Sequence, residues 1–468
     1  MSDDEADPEL LELLRKSLGI GKKTNEITSE TNVLRDAEYI YSNAIDVAID
    51  RTGTVAAAET IWQEMQHRSY SRSAWSEHEL HPKEKDEATL NFIFTMDLLN
   101  FSFWSDLPEE KRWSVLYRYK RWTGYWSLVA ALRRALDEGI PITSPSFWLE
   151  QEELAGSQGA DIESKRASDE VSEAMDVDGE RRDFSNGDET ANKDSNGLEN
   201  LGGSEAVDVQ DEDGAKSGDA SEVLDVATQN EVQEVNSSEL SKLTIGESAP
   251  AVRSPHLTED IMKQVFRGEG DEEMPLLQDR LSVLRQAGQV LEDEFEGSVA
   301  KLIARADGSA GKLVNLLAHH FECFRDQATF DRKKVRFLKR AQIFVADVWA
   351  AFDGQSYGSF DDIDRLTMFA DYRVPQQLHS LGCISYSPKL DYVVRSQQMI
   401  PSGSSWECQL RGCSIWVVEM IRRRIKSTHP DAEINAVLID FFLYDLAKER
   451  EKEGAEAIPH HRTRSIWY

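Results

Sequence analysis

The chain has 468 residues and a formal net charge of −32, yet residues 151–250 alone hold 27 acidic against 7 basic side chains and so carry 20 of the excess negative charges. An acidic chain argues against a protein that grips nucleic acid by its phosphates, and no run of about 18 apolar residues is present to span a membrane. Four cysteines without CxxC spacing, behind the acidic start "MSDDEADPEL", point to a reducing, cytoplasmic compartment, with a nuclear one still open.

The acidic window has one aromatic residue, Phe184, and is otherwise rich in Ser, Gly, Asn, Asp and Glu. Too little apolar surface is available there to offset the entropy of ordering the chain. Disorder is therefore expected over 154–255, within one folded domain made of 31–153 and 256–468, behind a polar tail at 1–30.

In chain order, "PELLELLRKSLGI" has the spacing of a short amphipathic helix within the tail. From Asn32 to about Met65 apolar residues recur at the helical period in two stretches, and Thr54 is placed to cap the second. "NFIFTMDLLNFSFW", apolar and aromatic with Asp97 inside it, reads as a strand. "TGYWSLVAALRRALDEG" reads as a helix from about Trp126, stopped at Gly139 ahead of Pro141. After the acidic window, "MPLLQDRLSVLRQAGQVLEDEF" starts with Pro275 in its first turn and sets Leu277, Leu281, Leu284 and Leu291 on one face. "AGKLVNLLAHHFECF", "KKVRFLKRAQIFVADVWAAF", "RGCSIWVVEMIRRRIKS" and "EINAVLIDFFLYDLAKERE" are further helices. The fold class expected is mainly α, a single helical domain with at most a small sheet from the N-terminal aromatic region. No repeat suggests a solenoid.

Three places carry chemistry. In "LTMFADYRVPQQL", Asp371 follows Leu366, Met368, Phe369 and Ala370. A buried ionised carboxylate costs several kcal/mol unless it is paired, protonated or used. Val374 is pushed to extended geometry by Pro375, which suits a helix start, so Asp371 and Tyr372 sit on a loop entering a helix. Asp371 serves there as a base or cation stabiliser, or it merely pairs with Arg373 or Arg365. In "LIDFFLYDLAKE", Asp440, Phe441 and Asp445 fall at roughly 0°, 100° and 140° around a helix, presenting two acids and a ring to one side. His78 and His81 in "HELHP" and the adjacent His319 and His320 lack partners at zinc spacing, so no metal is expected. No phosphate-cradling glycine loop and no GxSxG elbow occur. Basic groups cluster at Lys339 and Arg340 and in the tail at His461, Arg462 and Arg464.

The segments "LNFSFW", "TGYWSLVAALRRALDEGIPITS", "KRAQIFVADVW", "TMFADYRVPQ", "RGCSIWVVEMIR", "EINAVLIDFFLYD" and "HHRTRSIWY", in this order, resemble the queuosine salvage proteins, which are queuosine 5′-phosphate N-glycosylases/hydrolases. The resemblance runs from about Asn32 to Tyr468 outside the acidic insertion. It implies a helical fold related to helical DNA glycosylases and hydrolysis of an N-glycosidic bond, releasing queuine for reuse in transfer RNA. It implies a small-molecule substrate, no cofactor, no stable nucleic-acid complex and no membrane. The family's pocket positions match His78, Phe369, Asp371, Asp440, Phe441 and Asp445, with Asp371 beside the ribose as it turns cationic and the two phenylalanines against the base. The 5′-phosphate would meet Lys339, Arg462 or Arg464. Phe441 stands where tyrosine is usual, "FEGS" at 295–298 replaces a more glycine-rich turn, and the acidic insertion, its partners unknown, has no counterpart. The competing readings are a non-catalytic protein that binds queuine or queuosine-containing tRNA, and a scaffold whose acidic loop recruits basic partners.

Overall fold

The structure, a computed structural model, describes residues 27–149, 256–454 and 458–468. The amphipathic stretch expected in the tail and the acidic insertion at 154–255 lie outside the described residues.

α1 (Val33–Asn43) turns Val33, Ala37 and Ile40 inward. β1 (Val47–Ile49) leads to α2 (Arg51–His67), whose cap is Asp50 rather than Thr54. Asp50 has the extended backbone a cap requires, and its carboxylate accepts the Gly53 N–H. Thr54 lies inside the helix and donates its hydroxyl back to the Asp50 carbonyl (2.6 Å). The single turn α3 (Ala74–Glu77) precedes α4 (Glu87–Leu98), which takes most of the run expected as a strand. Asp86 caps α4 through the Thr89 N–H (2.8 Å), and almost every residue from Thr89 to Leu98 is buried. A helix enclosed on all sides has an apolar sequence without the helical period, which is why periodicity misread it.

β2 (Ser114–Tyr117) and β3 (Lys120–Thr123) form a hairpin; its two turn residues, Arg118 and Tyr119, both take positive φ (52° and 59°). α5 (Tyr125–Asp137) runs to a left-handed Gly139 (φ 78°), as expected. α6 (Pro145–Trp148), α7 (Glu259–Val265) and α8 (Leu277–Phe295) follow. Pro275 lies just ahead of α8, and Leu281, Leu284 and Leu291 are buried. α9 (Val299–Arg305), α10 (Ala310–His320), the hairpin of β4 (Gln327–Phe330) and β5 (Lys333–Arg336), and α11 (Lys339–Ala351) come next. The basic stretch expected as one helix thus divides, because β4 pairs with residues 333–336 and Leu338 takes a left-handed φ of 51°. α12 (Arg373–Ser380), β6 (Ile384–Tyr386), α13 (Pro388–Arg395), α14 (Ser405–Thr428) and α15 (Ala436–Lys452) complete the fold.

The described residues form fifteen α-helices and three two-stranded antiparallel sheets, a mainly α architecture. None of the strands comes from "NFIFTMDLLNFSFW". The two sequence halves flanking 150–255 share one core: α4 packs on α8 and α11, α1 and α2 pack along α14, and β1 pairs with β6 in the register Ala48–Ser385. Two buried guanidiniums close the C-terminal end of α4. Arg340 donates to the Leu98 carbonyl (2.6 Å) and Arg280 to the Leu99 carbonyl, so carbonyls that the helix leaves unpaired are satisfied by cations. No described helix is long and apolar enough to cross a membrane.

Candidate active site

α11 and α15 supply two walls of one cavity of about 1230 Å³. Lys339, Ile343 and Asp347, spaced by four, line one face of α11; Asp440, Phe441, Tyr444, Asp445 and Lys448 line one face of α15. Phe369 and Asp371 from the loop before α12 also line it, as do His78, Trp126 and Tyr468.

Asp371 Oδ1 accepts the backbone N–H groups of Arg373 (2.8 Å) and Val374 (2.9 Å), at the start of α12. Neither arginine that could have neutralised it does so: Arg373 pairs with Glu451 (3.2 Å), and Arg365 with Glu30 (3.5 Å) and Asp362 (3.4 Å). Lys339 is 7% exposed. Burial lowers the pKa of its ammonium while the charges of Asp371 and Asp440 oppose that shift. Asp440 accepts the Phe369 N–H (2.8 Å), and burial, reinforced by the Asp371 charge, holds its carboxyl well above the usual range. The two carboxyl groups in one cavity thus sit in different environments: Asp371 is held by two backbone N–H groups at the start of α12, and Asp440 is desolvated on α15. The Phe369 and Phe441 rings lie 6.0 Å apart, inclined by 56°. Asp445 accepts the Tyr70 hydroxyl (2.6 Å), and desolvation raises its pKa. His78 stacks on Trp126 (3.3 Å between centroids, 15°), and desolvation brings it down to about 4.

One buried cation holds these pieces in register. Arg411 donates Nε to the Ala370 carbonyl (3.0 Å), next to Asp371, and grips both Asp326 oxygens with its two arms (2.9 and 2.5 Å). Asp326 Oδ2 in turn accepts the Lys339 N–H (3.0 Å) at the start of α11. Arg411 also pairs with Glu407 (3.2 Å) and lies between the rings of Phe337 and Tyr468. The loop bearing Asp371 and the helix bearing Lys339 are thus tied to the same guanidinium.

All six expected pocket residues line this cavity, as do Lys339 and Arg462. Arg464 lies outside the lining; it stacks on Trp104 (3.7 Å) and donates to the Trp104 carbonyl (2.9 Å). Arg462 is held by Asp106 and Gln397. His81 also lines the cavity, with both ring nitrogens engaged by the protein: Nδ1 donates to the Trp75 carbonyl and Nε2 accepts the Tyr125 hydroxyl, both at 2.8 Å. Among the described residues no group of three or more His, Cys, Asp or Glu is placed to hold a metal ion.

The sequence matches the family described as "Queuosine salvage protein" over residues 80–176 and 243–468. The chain belongs to the queuosine salvage protein family. It is similar to proteins named queuosine 5′-phosphate N-glycosylase/hydrolase: that of Schizosaccharomyces pombe is 33% identical over 94% of this chain and 100% of the relative. The Nematostella vectensis relative is 32% identical (92% and 96% covered) and the Mus musculus relative 31% (92% and 97% covered). Within this salvage-family cavity, residues that sequence inspection passed over are Asp347, Tyr444, Tyr70 and Trp126. Asp347 is 4% exposed, with burial lifting its carboxyl to about 7. Its signal was available: a single acid inside the apolar helix "IFVADVWAA", two turns beyond Lys339. Tyr444 stands one turn from Phe441 and brings a phenol to the wall on which Phe441 has none.

Proposed function

We propose that the protein hydrolyses the N-glycosidic bond of queuosine 5′-phosphate and releases queuine. The observation that carries this reading is Asp371, a carboxylate lining a large cavity, fixed by two backbone N–H groups and left without a guanidinium partner, near Asp440, whose carboxyl burial holds well above the usual range. The relatives' names specify the same reaction.

As the ribosyl C1′–N bond lengthens, its electron pair passes to the base and C1′ becomes cationic. Asp371 stabilises that charge and takes a proton from the water whose oxygen bonds to C1′. The leaving base is a 7-deazaguanine and lacks the N7 at which a purine would be protonated. Asp440, entering the reaction with its proton, is the acid that supplies one. Phe369 and Phe441, both on the cavity wall, offer the base an aromatic surface to lie against. Asp445, steadied by Tyr70, accepts from an N–H of the base or from the ammonium of its side chain, a charge-assisted contact contributing about 1.5–3 kcal/mol. The products are queuine and ribose 5-phosphate.

Incubation with queuosine 5′-phosphate followed by mass spectrometry tests this directly. Free queuine should accumulate over many turnovers. Nucleotide that is bound yet recovered intact would leave only a binding protein.

A further inference from the structure

We propose that Arg373 and Lys448 form the subsite for the 5′-phosphate, and that Glu451 occupies it as an internal anion until the substrate arrives. The proposal rests on the nucleotide-hydrolase reading above and adds where and how the phosphate is taken.

The two oxygens of Glu451 are divided between two cations: Oε1 lies 3.2 Å from Arg373 Nη2, and Oε2 lies 3.0 Å from Lys448 Nζ. All three side chains line the same cavity as Asp371. Lys448 and Glu451 are three residues apart on α15 and so share a face, while Arg373 projects from the first residue of α12. The position relative to the reacting bond is favourable. The backbone N–H of Arg373 is one of the two that fix Asp371, and its guanidinium lines the same cavity as that carboxylate. A ribose 5′-substituent extends only a few bond lengths from C1′.

The carboxylate is also the member best able to leave. Arg373 is 18% exposed and Lys448 37%, whereas Glu451 is 50% exposed and sits in the last turn before α15 ends at Lys452. A change of side-chain rotamer carries it into water, with no backbone movement. The cations that remain face each other without an anion, and the substrate's phosphate supplies one with up to two charges and three acceptor oxygens. Of the other cations, Arg462 is held by Asp106 and Gln397, Arg112 donates to the Leu107 carbonyl, Arg464 lies outside the cavity lining, and Lys339 is enclosed near Asp371 and Asp440; Lys452 also lines the cavity, one residue beyond Glu451.

The test compares kcat/KM for queuosine 5′-phosphate and for the nucleoside queuosine in wild type, Lys448→Met and Glu451→Gln, together with calorimetric binding of ribose 5-phosphate to each. Lys448→Met should lower the nucleotide-to-nucleoside ratio by about 10- to 100-fold, the worth of one charge-assisted contact. It should weaken ribose 5-phosphate binding by a similar factor. Glu451→Gln should move both quantities the other way, since its neutral amide competes less well for the cations. A ratio and a binding constant that stay at wild-type values in Lys448→Met would overturn the subsite. Ribose 5-phosphate binding that does not tighten in Glu451→Gln would overturn the role of that carboxylate. If wild type cleaves neither compound, the hydrolase reading fails, and the calorimetry still decides where phosphate binds.

Discussion

Replacing Arg411 with lysine tests whether one buried guanidinium sets the geometry of the cavity. Lysine keeps the charge but loses the planar fork that engages both oxygens of Asp326, and it cannot also reach the Ala370 carbonyl. Asp326 and Glu407 are 3% and 1% exposed, so water cannot replace the lost contacts. Breaking a buried pair by removing one partner costs about 3–5 kcal/mol, and retention of a positive charge puts Arg411→Lys near the lower end, about 3 kcal/mol. Urea unfolding followed by tryptophan fluorescence measures this. The second consequence is kinetic. Ala370 precedes Asp371, and Asp326 fixes the start of α11, so loosening Arg411 shifts Asp371 and Lys339 relative to each other. A displacement near 1 Å costs on the order of 100-fold in rate. Queuine release assayed under conditions where the variant is fully folded should show that loss. A variant that is destabilised but turns over at the wild-type rate would refute the positioning role. A change in unfolding free energy below about 0.5 kcal/mol, the range of an ordinary surface substitution, would refute the energetic argument as well.

Asp347→Asn should alter how stability depends on pH. Burial lifts this carboxyl from 3.8 to about 7, so between those values the folded protein holds a proton that the unfolded chain has released. Wild type therefore loses stability through this group as pH rises across that window, and the asparagine variant does not. The urea midpoint of the variant should gain on wild type between pH 4 and pH 7 and hold that gain above it; a pH-independent difference would contradict the assignment. Gly412→Ala on α14 is decided by packing rather than propensity. A Cβ there would lie 2.6 Å from Ile40 Cδ1 and Cγ2 and 2.7 Å from its Cβ, and Ile40 is fully buried on α1. Overpacking of about 1–3 kcal/mol outweighs the gain of about 1 kcal/mol from alanine in a helix, so the variant should melt lower, and a raised melting temperature would sink the argument.

Asp371 and Asp440 were legible because a charge inside an apolar run is costly, and each does face the cavity. Asp347 obeys the same rule and was passed over because its helix read as packing alone. The helical class was legible from apolar spacing in α2, α5 and α8. α4 was not, since a helix buried on every side loses the periodicity that marks it. The break before α11 depends on the strand pairing of β4 with β5, and the contributions of Tyr70, Trp126 and Tyr468 to the wall depend on contacts between distant parts of the chain. Neither leaves a local trace. Arg373 reads in the sequence as the natural partner of Asp371, its neighbour but one. In the fold its guanidinium turns to Glu451 and only its backbone N–H serves Asp371, because the start of α12 orients the two side chains apart.

The most direct measurement is the rate of queuine release by Asp371→Asn set beside wild type. Asparagine retains the oxygen that accepts the N–H groups of Arg373 and Val374, so the loop keeps its shape and only the charge is removed. An unchanged unfolding midpoint with a rate lower by about 100- to 10,000-fold is the outcome expected of a group that stabilises the ribosyl cation and activates water. Turnover at the wild-type rate by a folded Asp371→Asn protein would contradict it.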